Sequence, residues 1–324
     1  MTPDPAAGPL PALRPISLDA GRSPDPDPAA EPEGFLVTAD DGTRIHFHDW
    51  GAPPAPDGGP VAGIVLVPGL LAPAWSWAPV ARRLALVRRT VVADLRGHGL
   101  SDAPQSGYAL ATLAADVVVV AEGSGALDGG AVVLAGHGFG AMVAAGAAAL
   151  LGGRCAGLVL VDGGWERVEE TAGVDVEAFL RGLDEPPEVL RSMDAWLADR
   201  RAFDPASWDA DQERAARDGV VETAAGHVLR SVRPHVIDAV VRSMFGYEPA
   251  QVLAAVPAPV TALVAFATGD VDQRLAELRR TAVARAAAGL EPIRVAGFPT
   301  DAHNLMRYRP AEVAAAILNA EGRP

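Results

Sequence analysis

Ala131-Val132-Val133-Leu134-Ala135-Gly136-His137-Gly138-Phe139-Gly140 is the stretch on which the reading of this chain turns. Its first half is apolar without alternation, the pattern of a short strand buried on both faces. From Phe139 to Leu151 the composition is that of a buried helix. Almost nothing separates the two, so the chain must turn sharply around Gly138. Glycine lacks a Cβ and enters positive φ freely, which suits such a turn. It also carries no side chain that could attack a substrate.

Working outward, similar units recur on both sides. Val61–Val67, Arg89–Asp94, Cys155–Val161, Val260–Phe266 and Pro292–Gly297 read as strands. Helices are expected over Pro79–Val87, Leu110–Glu122, Gln273–Ala288 and Ala311–Asn319. Phe35–Ala39 and Thr43–Trp50 form a hairpin about Asp41-Gly42. Strands separated by helices imply an α/β fold, a mostly parallel central sheet flanked by helices.

Two regions depart from the alternation. Residues 1–34 are rich in proline, alanine and acids and read as a disordered leader. Residues 165–256 carry apolar residues at helical spacing, such as Val176, Phe179, Leu180 and Leu183. They are expected to form an all-helical cap inserted between core segments 35–164 and 257–324. Such an insertion would sit over the carboxyl ends of the strands, where ligands bind in open α/β sheets.

Composition narrows the partners. The formal charge is −14 and all 27 basic residues are arginine. That balance argues against nucleic acid and against an anionic membrane surface. The apolar run Ala109–Ala121 is too short to span a bilayer, and Asp116 interrupts it. Cys155 is the single cysteine, so no internal disulfide forms, which fits a cytoplasmic location. No metal-ligand cluster, Gly-x-Gly-x-x-Gly loop or phosphate loop is visible, so neither metal nor cofactor is expected. Oligomeric state has no signature in the sequence.

Three segments together resemble the α/β-hydrolase family in its branch with a helical cap. Val67-Pro68-Gly69-Leu70-Leu71 is similar to the family's His-Gly-x loop, with proline in place of histidine. Asp94-Leu95-Arg96-Gly97-His98-Gly99-Leu100-Ser101-Asp102 closely matches the turn after the next strand. Leu134–Gly140 stands where the family has its Gly-x-Ser-x-Gly nucleophile elbow. The resemblance implies that Gly138 occupies the nucleophile position, leaving it vacant. It implies oxyanion-hole amides at Leu70 and Phe139, and a base at His303, just before the last helix. The acid partner is expected after Val260–Phe266, at Asp270 or at Asp272. Asp162, at the end of Cys155–Val161, reads as a structural aspartate that binds nearby backbone amides.

Trp75, Trp165, Trp196 and Phe245 are candidates to line a pocket for a small apolar molecule under the cap. Two functions compete. One is His/Asp acid–base chemistry on a small apolar ester, lactone or similar carbonyl compound without a serine nucleophile. The other is a catalytically silent ligand-binding or sensing protein on the same fold. A scaffold role through the acidic leader has only composition behind it.

Overall fold

Valine- and leucine-rich segments assemble into one nine-stranded sheet. The structure is a computed structural model and describes residues 14–19, 25–51, 61–183, 192–266 and 271–321, with side chains from 274 onward in the last span. The strands are β1 (Arg14–Pro15), β2 (Glu33–Thr38), β3 (Arg44–Asp49), β4 (Gly63–Val67), β5 (Thr90–Ala93), β6 (Val132–His137), β7 (Cys155–Val161), a separate pair β8 (Val220–Glu222) and β9 (Val228–Arg230), then β10 (Val260–Phe266) and β11 (Arg294–Pro299). Their spatial order is β1-β11-β10-β7-β6-β4-β5-β3-β2. Within this sheet, among the described residues, only β2 with β3 and β3 with β5 pair antiparallel. The parallel strands β4, β6, β7 and β10 therefore end on one edge of the sheet, at Val67, His137, Val161 and Phe266.

The helices are α1 (Ala78–Ala85), α2 (Leu110–Gly123), α3 (Phe139–Leu151), α4 (Val168–Ala172), α5 (Val176–Leu183), α6 (Met193–Phe203), α7 (Ala210–Asp218), α8 (Pro234–Phe245), α9 (Pro249–Ala254), α10 (Val271–Ala287), α11 (Leu305–Tyr308) and α12 (Pro310–Leu318). Successive strand residues point to opposite faces. Val65, Val67, Leu134, Leu158 and Leu160 enter one core, covered by α2 and α3. Ile64, Leu66, Val133, Ala135, Val159 and Val161 enter the other, covered by α1 and α12. With both faces apolar, the strands show no polar alternation in sequence, as a doubly covered parallel sheet requires.

Two expectations change here. Part of the leader is docked rather than free. Arg14 and Pro15 pair with Arg294 and Val295 at the sheet edge, and the Ile16 amide donates to the Val295 carbonyl at 2.8 Å. Ile16 and Leu18 pack against the core that α1 and α12 cover. Two apolar side chains and one edge strand suffice to hold a segment whose average composition is polar. The cap, in turn, is not all helical. Val220–Glu222 and Val228–Arg230 form an antiparallel hairpin with Gly226 at positive φ, its Val220 and Val228 buried. Three-residue strands are too short to register against helical periodicity.

A buried arginine holds the chain where it returns from residues 165–256 to the sheet. Arg285 of α10 donates to the carbonyls of Leu253 (2.7 Å), Val256 (2.8 Å) and Ala258 (3.1 Å). Leu253 is the penultimate residue of α9, and Val256 and Ala258 follow the helix. Burial pulls its guanidinium down to about 10, still charged at neutral pH. Cys155 is buried at the start of β7, and burial pushes its thiol up to about 11.

Candidate active site

The sharp turn between β6 and α3 puts Gly138 at the sheet's carboxyl edge. Its φ is 53° and ψ −117°, a conformation that strains any residue with a Cβ. The Gly138 amide donates to the Val161 carbonyl at 3.0 Å, and its own carbonyl accepts from the Ala141 amide at 3.1 Å. A tight approach nearby demands glycine for space: a Cβ on Gly140 would lie 2.2 Å from the Pro68 carbonyl oxygen. Strand, elbow and the Val67–Leu71 loop are thereby pressed together. Phe139, the first residue of α3, leaves its amide without an intrahelical acceptor.

His303 stands over this turn. A Cβ placed on Gly138 would lie 3.2 Å from His303 Nε2. His303 Nδ1 donates to Asp162 Oδ2 at 2.6 Å. That bond fixes the tautomer of the neutral ring, leaving the Nε2 lone pair free on the Gly138 side. The imidazole is open to solvent, its side chain 57% exposed, while Asp162 is 3% exposed.

The carboxylate that holds His303 in the structure follows β7. Asp270 lies outside the described residues, and Asp272 falls in α10 with its side chain outside the description. Asp162 also does what a structural aspartate does. Its Oδ1 accepts from the Ala265 amide at 2.8 Å and from Arg274 Nη1 at 2.7 Å. Asp162 sits at positive φ, 48°, an uncommon conformation for a non-glycine residue. The apolar strand ending in an aspartate, Leu158-Val159-Leu160-Val161-Asp162, was the available signal. It does not distinguish a carboxylate that binds backbone from one that also holds a histidine.

Arg274 ties a second carboxylate to the first. Its Nε donates to Glu166 Oε1 at 2.9 Å, and its Nη1 also reaches the Ala265 carbonyl. Opposite, His137 supports the loop that carries His303: its Nε2–H donates to the His303 carbonyl at 3.1 Å. Burial, with His303 close by, pushes His137 down to about 3, so the ring is neutral. It braces the loop that carries His303.

These groups open on a cavity of about 420 Å³. Leu70, Phe139, Gly138, His303, Asp162 and Glu166 line it, with Met142, Val168, Ala172, Phe179 and Met244 making an apolar wall. The four aromatic candidates are elsewhere. Trp165 is fully buried beneath Arg274. Trp75 packs on His48 and Trp50. Trp196 donates to the Ala216 carbonyl at 3.0 Å and borders a different hollow. Phe245 stands edge-on to Phe179 at 5.5 Å, one layer behind the wall. Helical spacing marks an apolar face but not which of its members meets the cavity and which the core.

Among the described residues no group of three His, Cys, Asp or Glu side chains is arranged to hold a metal ion. No helix among them is long and apolar enough to cross a membrane.

Comparison with known proteins follows this geometry. Residues 64–316 match the model of the alpha/beta hydrolase family. Over 106 residues the chain is 42% identical to the N-formylmaleamate deformylase of Pseudomonas putida, a stretch that is 32% of this chain and 38% of that protein. The chain thus spans well under half the length of that curated relative. Among solved structures, an E-2-(acetamidomethylene)succinate hydrolase superposes with a TM-score of 0.69 at 21% identity, covering 89% of this chain and 99% of the other. The thioesterase domain from the curacin biosynthetic pathway gives 0.63 at 21% identity over 89% and 99%. The N-formylmaleamic acid deformylase of Pseudomonas putida S16 gives 0.58 at 22% identity over 88% and 100%. At that identity the likenesses speak to the fold.

Proposed function

The chain belongs to the alpha/beta hydrolase family, and we propose that it acts on a small apolar ester, lactone or similar carbonyl compound through His303 and Asp162, with Gly138 in the nucleophile position and no covalent intermediate. The observation that carries this reading is the 2.6 Å bond from His303 Nδ1 to buried Asp162, which leaves Nε2 free above Gly138 in a largely apolar cavity.

The chemistry balances without a serine. His303 Nε2 removes a proton from a water held where glycine leaves room. The hydroxide attacks the carbonyl carbon, and the C–O π electrons move to oxygen. The Leu70 and Phe139 amides would receive that oxyanion, a contribution that needs no side chain. Collapse breaks the bond to the leaving group, which takes the proton from Nε2–H. Asp162 stabilises the imidazolium in between. Serine systems stripped of triad members retain roughly 10³–10⁴-fold catalysis over water, so turnover is expected to be slow.

The second reading, a silent binding protein, is favoured by the absence of any nucleophilic side chain at Gly138 and by the apolar wall. Short-chain p-nitrophenyl esters distinguish the two, tested on the protein itself, on Gly138→Ser, and on each with His303→Ala. Turnover by the unaltered chain that disappears in His303→Ala supports the enzyme. Turnover only in Gly138→Ser, again lost with His303→Ala, supports the binder. Activity in none of them counts against both the base and the oxyanion assignments.

A further inference from the structure

The cavity wall contains polar residues that the chemistry above does not use, Glu166, Thr171 and Asn304, and of these Glu166 is the one that carries a charge. Glu166 lines the cavity, is 8% exposed, and follows Asp162 by four residues. Its Oε1 is held by Arg274 Nε at 2.9 Å. A carboxylate offers about four lone-pair positions. Arg274 takes one, and Glu166 lines the same cavity as Met244, Phe179 and His303 with acceptor capacity to spare.

The charge around this space is one-sided. Among the described residues no arginine lines the cavity, and the chain has no lysine. Arg274 stands behind the wall, its charge shared between Asp162 and Glu166 at 2.7 and 2.9 Å. Two carboxylates against one guanidinium leave the polar side of the cavity net negative while His303 is neutral. A ligand carboxylate placed beside Glu166 would meet like charge, with no arginine or lysine in the cavity lining to pair with it. A ligand N–H or O–H would find a charged acceptor already oriented by Arg274, and hydrogen bonds to charged groups are the stronger kind.

We propose that Glu166 determines specificity: the cavity takes an uncharged, mostly apolar acyl compound that carries one hydrogen-bond donor, and rejects the corresponding carboxylate. This rests on the cavity being the ligand site of the proposed function, but binding is measured apart from turnover. Loss of the esterase reading would leave the binding result standing.

The test uses three six-carbon acyl compounds of similar size and ligand-observed NMR titration of the intact protein. Hexanamide is neutral with N–H donors, N,N-dimethylhexanamide is neutral without one, and hexanoate is charged. Hexanamide is expected to bind about tenfold more tightly than either of the others, the worth of one hydrogen bond to a charged acceptor. In Glu166→Gln the preference over hexanoate should shrink to about twofold or less, and Glu166→Asp, which keeps the charge, should restore much of it. The unaltered protein alone suffices if a variant fails to fold. Equal or tighter binding of hexanoate, no penalty for N-methylation, or no binding of hexanamide would each overturn the proposal. So would an unchanged preference in folded Glu166→Gln.

Discussion

Two aspartate–histidine pairs sit at the carboxyl edge of the same sheet, and they do different work. Asp94 follows β5 and accepts from His46 Nδ1 at 2.9 Å; Asp162 follows β7 and accepts from His303 Nδ1 at 2.6 Å. Both carboxylates are buried, 4% and 3% exposed, and both also accept backbone amides: Ala74 and Leu100 at Asp94, Ala265 at Asp162. The difference lies at the far side of the ring. His46 is 7% exposed, and its Nε2 is pressed against Gly34, where a Cβ would come within 2.9 Å. His303 is 57% exposed, and its Nε2 faces Gly138 and the cavity. A carboxylate-held imidazole is thus not a site by itself. The nitrogen that would move a proton must have somewhere to reach.

The comparison can be broken most sharply through activity. In a Gly138→Ser background, Asp162→Asn should lower kcat on p-nitrophenyl esters by about 10³–10⁴-fold, because the wrong tautomer is then favoured at His303. Equal turnover with and without the substitution would make the Asp162 pair as inert as the Asp94 pair. Next in size is stability at the other pair. Asp94→Ala removes the acceptor of His46 Nδ1 and of the Ala74 and Leu100 amides and should cost about 3–5 kcal/mol in urea unfolding. A loss below about 1 kcal/mol would remove its structural role.

A smaller effect reports the charge of Asp94 from the cap side. Asp218 borders the same hollow as Asp94, and burial pushes it up to about 6; Asp94 raises it further, while Arg214 and His46 oppose. An acid with a raised folded-state pKa favours the protonated form. Its stabilising contribution is complete below about 4 and is lost as pH rises through about 6. Asp218→Asn should therefore stabilise the protein at pH 7.5 by about 1 kcal/mol, after discounting for its partial exposure, and by nothing measurable at pH 4. The smallest effect belongs to His303. His303→Ala should change unfolding free energy by no more than about 1 kcal/mol, since the ring is largely exposed and Asp162 keeps Arg274 and the Ala265 amide. A larger loss would make His303 a structural partner like His46.

Much of this was legible beforehand for definite reasons. The elbow showed itself because a buried strand meets a buried helix with only Gly138 between them. His303 was expected from its place before the last helix, and Leu70 and Phe139 from their motifs; all three line the cavity with Gly138. What the residues left open was three-dimensional. Asp162 and the expected Asp270 both follow strands, and β7 and β10 are neighbours in the sheet, so one histidine loop near that edge can be imagined against either. Of the aromatic candidates, Trp165 is fully buried and Phe245 packs on Phe179, while Phe179 and Met244 line the cavity.

From its residues alone this chain determined the order of strands and helices, the two-faced core and the turn at Gly138, because burial on both faces and sharp reversals leave local marks. Only the tertiary structure decided which carboxylate holds His303, that Glu166 rather than a tryptophan meets the cavity, and that Ile16 and Leu18 dock part of the leader. Those outcomes depend on which side chains converge across distant segments, and no local pattern encodes a convergence of that kind.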